Sequence, residues 1–135
     1  MKKFFRPKAW LLIAGTIHAI MGVIVQTVMS NDIAKMGWGD AMAAHDAFYE
    51  FLVGLFILPH VAVMFAAAFI LSGSAQAKIT TILGAATFVN FVGAALHGSG
   101  NGYMAEMGII AAFSPPIILF LGLTVSGALH WSEES

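Results

Sequence analysis

Residues 48–71 read FYEFLVGLFILPHVAVMFAAAFIL. Glu50 is the one carboxylate in that stretch and no lysine or arginine accompanies it, while a helix needs about 20 mostly apolar residues to cross the hydrocarbon core of a bilayer. Backbone N–H and C=O groups find no water there, so a segment of this kind must bond to itself as a helix. On either side of it, residues 10–29, 79–96 and 108–129 have the same character, and none of the three carries an Asp, Glu, Lys or Arg. Four spans use most of a 135-residue chain that is 59% hydrophobic and only 10% charged. Soluble domains carry about 25% charged residues, so too few charges are present here to coat a water-facing surface.

The expected fold is therefore all-α, a bundle of four transmembrane helices forming one integral membrane domain over 1–135. The tails and connections leave no room for a separate soluble catalytic domain or a dinucleotide-binding unit. A net charge of −1 provides no basic face for nucleic acid. The absence of cysteine removes disulfides, thiolate metal sites, iron–sulfur clusters and thiol nucleophiles.

The first span follows Lys2, Lys3, Arg6 and Lys8, a pattern shared with secretory signals. Its apolar stretch is longer than the about 7–15 residues of a signal core, so it reads as a retained helix. Lys78 follows the second span, whereas Lys35 alone lies between spans one and two. Cations accumulate on the cytoplasmic side, which places both termini in the cytoplasm, with Trp10 and Trp131 at that interface. The first and third connections then face outward, and a multi-pass protein of a prokaryotic inner membrane is the expected setting. Ser72 to Ala77 (SGSAQA) reads as a short turn, His97 to Tyr103 (HGSGNGY) as the close of span three, and the 30–46 connection as turns around Asn31 and Gly37–Asp40.

A repeat of two helical hairpins is suggested by one constant offset that superposes Ala14, Thr16 and Gly22 on Ala85, Thr87 and Gly93. Glu50 and Glu106 each lie nine positions before a proline, Pro59 or Pro115, with Tyr49 or Tyr103 close by. Matching prolines in two halves point to a site near the repeat interface. The alternative is that Gly, Ala and Pro recur in membrane helices without kinship.

Ionisable and amide side chains inside a span are costly and face protein or a water-filled cavity. In span one, Gly15, His18, Gly22 and Gln26 recur at helical spacing, so one face points into the bundle. Thr87, Asn90, Ala94 and His97 form a similar face in span three, and Gly122, Ser126 and His130 form one in span four. His18, His60 and Asn90 fall at mid-membrane depth. Facing imidazoles there could hold haem b from both sides, a transition metal such as Cu, Zn or Fe, or a quinone-like ligand. Alternatively, both histidines bond to Asn90, to hydroxyls, or to the backbone carbonyl that Pro59 leaves free.

A second concentration lies at the outer mouth. His45, Asp46, Tyr49 and Glu50 open span two, while His97, Asn101, Tyr103 and Glu106 belong to the opposite hairpin. His45, Glu50, His97 and Glu106 are the candidate metal ligands, since mixed imidazole and carboxylate sets suit zinc, copper or non-haem iron. The alternative is a wet helix end, where Asp46 and Glu50 offset the macrodipole. The eight methionines are dispersed and read as packing residues.

The basic N-terminus, the long outer connection after span one, the tight inner turn between spans two and three, and the polar interior together resemble the small DoxX-like four-helix membrane proteins. That resemblance covers the layout of most of the chain. It implies a component or accessory subunit of a quinone-linked membrane redox complex and assigns no role to any single residue. Three functions stay open: a redox component with a buried His/Glu site, a proton, ion or solute carrier using His18, His60 and Asn90, and a structural subunit. Beyond the lipid bilayer, the expected partners are further copies of the chain or the subunits of a larger membrane complex, with no nucleic acid.

Overall fold

The computed structural model describes residues 2–132. It contains five helices and, among the described residues, no strand. Helix α1 spans Pro7–Val28, α2 Ser30–Trp38, α3 Asp46–Ile70, α4 Gly73–Asn101 and α5 Ile109–Ala128. All but α2 are long and apolar enough to cross a membrane.

Helix α1 opens on Pro7 at its first position, where a missing N–H costs nothing because that group has no intrahelical partner. From His18 to Val25 it winds as a π-helix, whose i→i+5 bonds widen the coil, a feature frequent at functional sites. The glycine-containing face foreseen for this span is the one that meets α3. A Cβ at Gly15 would touch Met64 and Phe65, one at Gly22 would lie 3.1 Å from Ile57, and Gln26 bonds to Glu50. Partners that descend along α3 as the α1 number rises define an antiparallel pair.

Helices α4 and α5 form the second antiparallel pair and approach closely through glycines. A Cβ at Gly84 would stand 2.5 Å from the Thr124 backbone nitrogen, and one at Gly127 would meet Ala77 and Thr81. In lipid there is little hydrophobic drive between helices, so close backbone packing of this kind is what holds them. Leu11, Ala14, Met64, Ala67, Ala68, Phe120 and Leu123 fill the half of the bundle nearer the termini, and the ring of Trp10 lies on Gly122.

Two boundaries differ from expectation. Only Leu71 and Ser72 separate α3 from α4, so most of SGSAQA is helical. The buried Gln76 amide accounts for this: its Nε2 donates to the carbonyls of Leu71 at 2.8 Å, Ala67 at 3.0 Å and Ala68 at 3.3 Å. These are end-of-helix acceptors; Ala67 also takes the Leu71 N–H at 3.3 Å, and the amide supplies a partner to the carbonyls of Ala68 and Leu71. At its other end α4 continues through HGSGN and stops at Gly102, whose φ of +79° is the left-handed cap conformation. With 29 residues it is ~43 Å long and outruns a hydrocarbon core of about 30 Å.

The 30–46 connection holds a helix as well as turns. Ala34 and Gly37 of α2 are buried, and the Tyr103 ring occupies the space a side chain at Gly37 would need. The Met104 N–H donates to the Gly37 carbonyl at 2.6 Å, which holds Met104 at a φ of +57°, a region non-glycine residues seldom adopt.

Candidate functional site

His18 and His60 come together halfway along α1 and α3. Their ring centroids are 5.7 Å apart with planes at 77°. Phe120 and Phe91 pack edge-on against His18, with centroids at 5.0 and 6.0 Å, and His18 is only 7% exposed.

His60 is fixed by α4. Its Nε2 lies 2.7 Å from Thr87 Oγ1, and that hydroxyl donates to the Leu83 carbonyl at 2.8 Å. The hydrogen between the Thr87 and His60 side chains sits on Oγ1 or on Nε2 according to the imidazole tautomer. The His18 imidazole makes ring contacts but no hydrogen bond to any described residue. Because no fully buried side-chain nitrogen or oxygen among the described residues lacks a partner, the His18 nitrogens have open space before them.

That space is a cavity of about 390 Å³, lined by His18, His60, Thr87 and Asn90. Val53, Phe56, Ile57 and Phe91 supply an apolar wall. Asn90, Val53 and Phe56 are exposed on the outer surface, so the cavity opens sideways between α3 and α4 toward lipid. A mostly apolar recess of this size with a few convergent polar groups is the usual form of a small-ligand site. Chemically it offers donors and acceptors on imidazole, a hydroxyl and an amide, with an aromatic wall for a flat group.

The candidate metal ligands at the mouth are placed apart. Glu50, 8% exposed, accepts from Tyr103 Oη at 2.7 Å on one oxygen and from Gln26 Nε2 on the other. Both carboxyl oxygens are thus engaged by side chains of other elements. Burial pushes the Tyr103 phenol above its ordinary value, and the bond to Glu50 pushes it further the same way. His45 is exposed and stands 3.6 Å from Asp46, whose other oxygen accepts the Ala43 N–H at 2.6 Å. His97 pairs with Asn101, and Glu106 is exposed beside Gly39. Among the described residues no three His, Cys, Asp or Glu side chains gather as a metal would need.

The stripes foreseen in α4 and α5 separate in role. Thr87, Asn90 and Ala94 line the midplane cavity, and Ala94 and His97 line a second one of about 420 Å³ at the loop end, with Trp38, Asn101 and Tyr103. In α5, Gly122 receives Trp10, Ser126 bonds to its own Leu123 carbonyl, and His130 reaches the Lys2 carbonyl, so that face packs and caps. Sequence reasoning did not single out Gln76 or the ring contact of Trp38 on Tyr103 at 5.1 Å. The Gln26–Glu50 pair could have been found by running the span-one stripe antiparallel against residues 50–65. No known protein family matches the chain, and no curated protein or solved structure was found to be similar to it.

Proposed function

We propose that the protein is a component of a membrane redox system, with both termini in the cytoplasm, that holds a lipid-soluble carrier of the quinone class in the cavity between α3 and α4. The reading rests on one observation above the others: a nearly buried His18 imidazole at mid-membrane, without a hydrogen-bond partner and facing a cavity. The His18 nitrogens open on that space, where a ligand with complementary oxygens supplies the partner that the protein does not. A quinone ring has two carbonyl acceptors suited to an imidazole N–H and the Asn90 amide, a flat face for Phe91, and a tail that leaves through the lipid-facing opening. The quinol form adds hydroxyl donors, for which a neutral imidazole has an acceptor nitrogen.

The test is extraction of the protein from its native membrane in polymer-bounded discs, followed by analysis of the bound lipids and an optical spectrum. Near-stoichiometric quinone that is lost in His18→Ala and in Asn90→Leu is the expected result. Discs without quinone, or with a haem band in the visible, would overturn the reading.

A further inference from the structure

Charge is sorted between the two ends of the bundle. Lys3 and Arg6 precede α1, Lys8 stands on its first turn, and Lys78 stands in the second turn of α4. Cations from both helix pairs thus come to the end where α1 and α4 begin. All four are exposed, and none forms an ion pair with a described residue. Of the seven acidic residues in the chain, Asp32, Asp40, Asp46, Glu50 and Glu106 belong to the loop end, and Glu133 and Glu134 lie outside the described residues. Neither α1 nor α4 has an acidic residue in its first turn. The segment before α1 is also built into the fold. Trp10 Nε1 donates to the Phe4 carbonyl at 3.2 Å, the Phe5 ring stacks on that of Trp10 at 5.3 Å, and the Lys2 carbonyl lies 3.3 Å from His130 Nε2. Phe4 is left 85% exposed beside Lys3, and Lys8 Nζ lies 5.7 Å from the centroid of the Phe69 ring.

We propose that this end of the bundle is a docking surface for anionic phospholipid, with Lys3, Arg6, Lys8 and Lys78 on the headgroup phosphates and Phe4 in the acyl boundary beside them. Ammonium and guanidinium groups are driven out of hydrocarbon and come to rest among headgroups, so charge complementarity decides which lipid collects around them. Each cation near an anionic leaflet is worth about fivefold in affinity, whereas a zwitterionic headgroup carries no net charge to reward it. Arginine adds a fork that can grip two phosphate oxygens at once. An exposed aromatic ring among cations is the composition of an interfacial anchor. A soluble phosphate would meet the same cations but has no chain for Phe4, which favours lipid as the occupant. The packed half of the bundle around Leu11, Phe120 and Leu123 separates this surface from the cavity between α3 and α4, so the proposal stands apart from the quinone reading.

Native mass spectrometry of the full chain, released from micelles and titrated with phosphatidylglycerol or phosphatidylcholine of identical acyl chains, gives a dissociation constant for each lipid. The wild type should hold phosphatidylglycerol at least about tenfold more tightly. Lys3→Gln, Arg6→Gln and Lys78→Gln should each lower that preference, and the triple variant should abolish it. These side chains make no hydrogen bond or ion pair within the described protein, so the thermal midpoint of every variant should match the wild type. Lys35→Gln removes one charge at the loop end and should leave the preference intact. Phe4→Ala removes apolar contact and no charge, so it should weaken both lipids by a similar factor. Glycerol phosphate, which has the headgroup chemistry without the chains, should not displace bound lipid. Equal affinity for the two lipids, a triple variant that keeps the preference, a loss as large in Lys35→Gln, or displacement by glycerol phosphate would overturn the proposal.

Discussion

Tyr103→Phe removes one oxygen atom and tests whether the loop-end clamp carries energy. In the native protein that oxygen donates to Glu50 at 2.7 Å, while Gln26 satisfies the other carboxylate oxygen. A hydrogen bond to a charged group contributes about 1.5–3 kcal/mol, whereas side-chain pairs between membrane helices average only about 0.6 and reach about 1.7. Glu50 is 8% exposed but sits one turn into α3, so the charged case is damped rather than lost. A coupling of about 1.5 kcal/mol between Tyr103 and Glu50 is expected. Tyr103→Phe, Glu50→Gln and the double variant would be unfolded reversibly in mixed micelles. Trp38, 5.1 Å from the Tyr103 ring, serves as the fluorescence reporter after Trp10 and Trp131 are replaced by Phe. Tyr103→Phe should cost clearly less when Glu50 is already Gln. Single effects that add to within about 0.3 kcal/mol would refute the clamp, because additivity is the behaviour of independent sites.

Gly84→Leu must push α5 away at Thr124, whereas Gly93, with nothing within 4 Å of a Cβ, accepts the same change. Unfolding free energies should fall by about 3 kcal/mol for the first and stay within about 0.5 kcal/mol for the second. Gln76→Ala removes the side-chain donor to the carbonyls of Ala68 and Leu71 and should cost about 2 kcal/mol, read as an earlier thermal transition. The raised ionisation of Tyr103 means that the folded state prefers the neutral phenol. Its stabilising contribution is therefore complete below the free-tyrosine value of about 10 and is lost as pH climbs from there toward the folded value. In a Tyr49→Phe background, ultraviolet titration should show Tyr103 ionising above about 10 and together with unfolding.

Span number and the inward face of α1 could be read in the sequence because lipid leaves few options: an apolar run must be helical, and polar or small residues within it must turn toward protein. Gly15, His18, Gly22 and Gln26 satisfy that rule against α3. The extent of α4 could not be read this way, because glycine and serine around 73–76 and 97–102 signal turns locally. The Gln76 side chain and the close approach of Tyr103 and Ile109 to Gly98 are tertiary facts. The four mouth residues share a membrane depth but not a direction: His45 and Glu106 face outward, and Glu50 is already engaged. Depth can be counted along a sequence, whereas the rotation of a helix end cannot. The matched positions of the two hairpins likewise differ in surroundings, with Gly22 against Ile57 and Gly93 in open space, and Thr16 exposed where Thr87 is buried.

Nitrogen-15 magnetic resonance of imidazole-labelled protein in lipid discs, recorded with and without a short-chain benzoquinone, observes His18 itself. The unliganded spectrum should show a neutral His18 whose ring makes no hydrogen bond within the protein. Adding the quinone should move the His18 resonances in the wild type and leave them in place in Asn90→Leu. A His18 nitrogen found bonded within the protein, or indifferent to the quinone while discs of lipid alone take it up equally, would contradict a ligand site between α3 and α4.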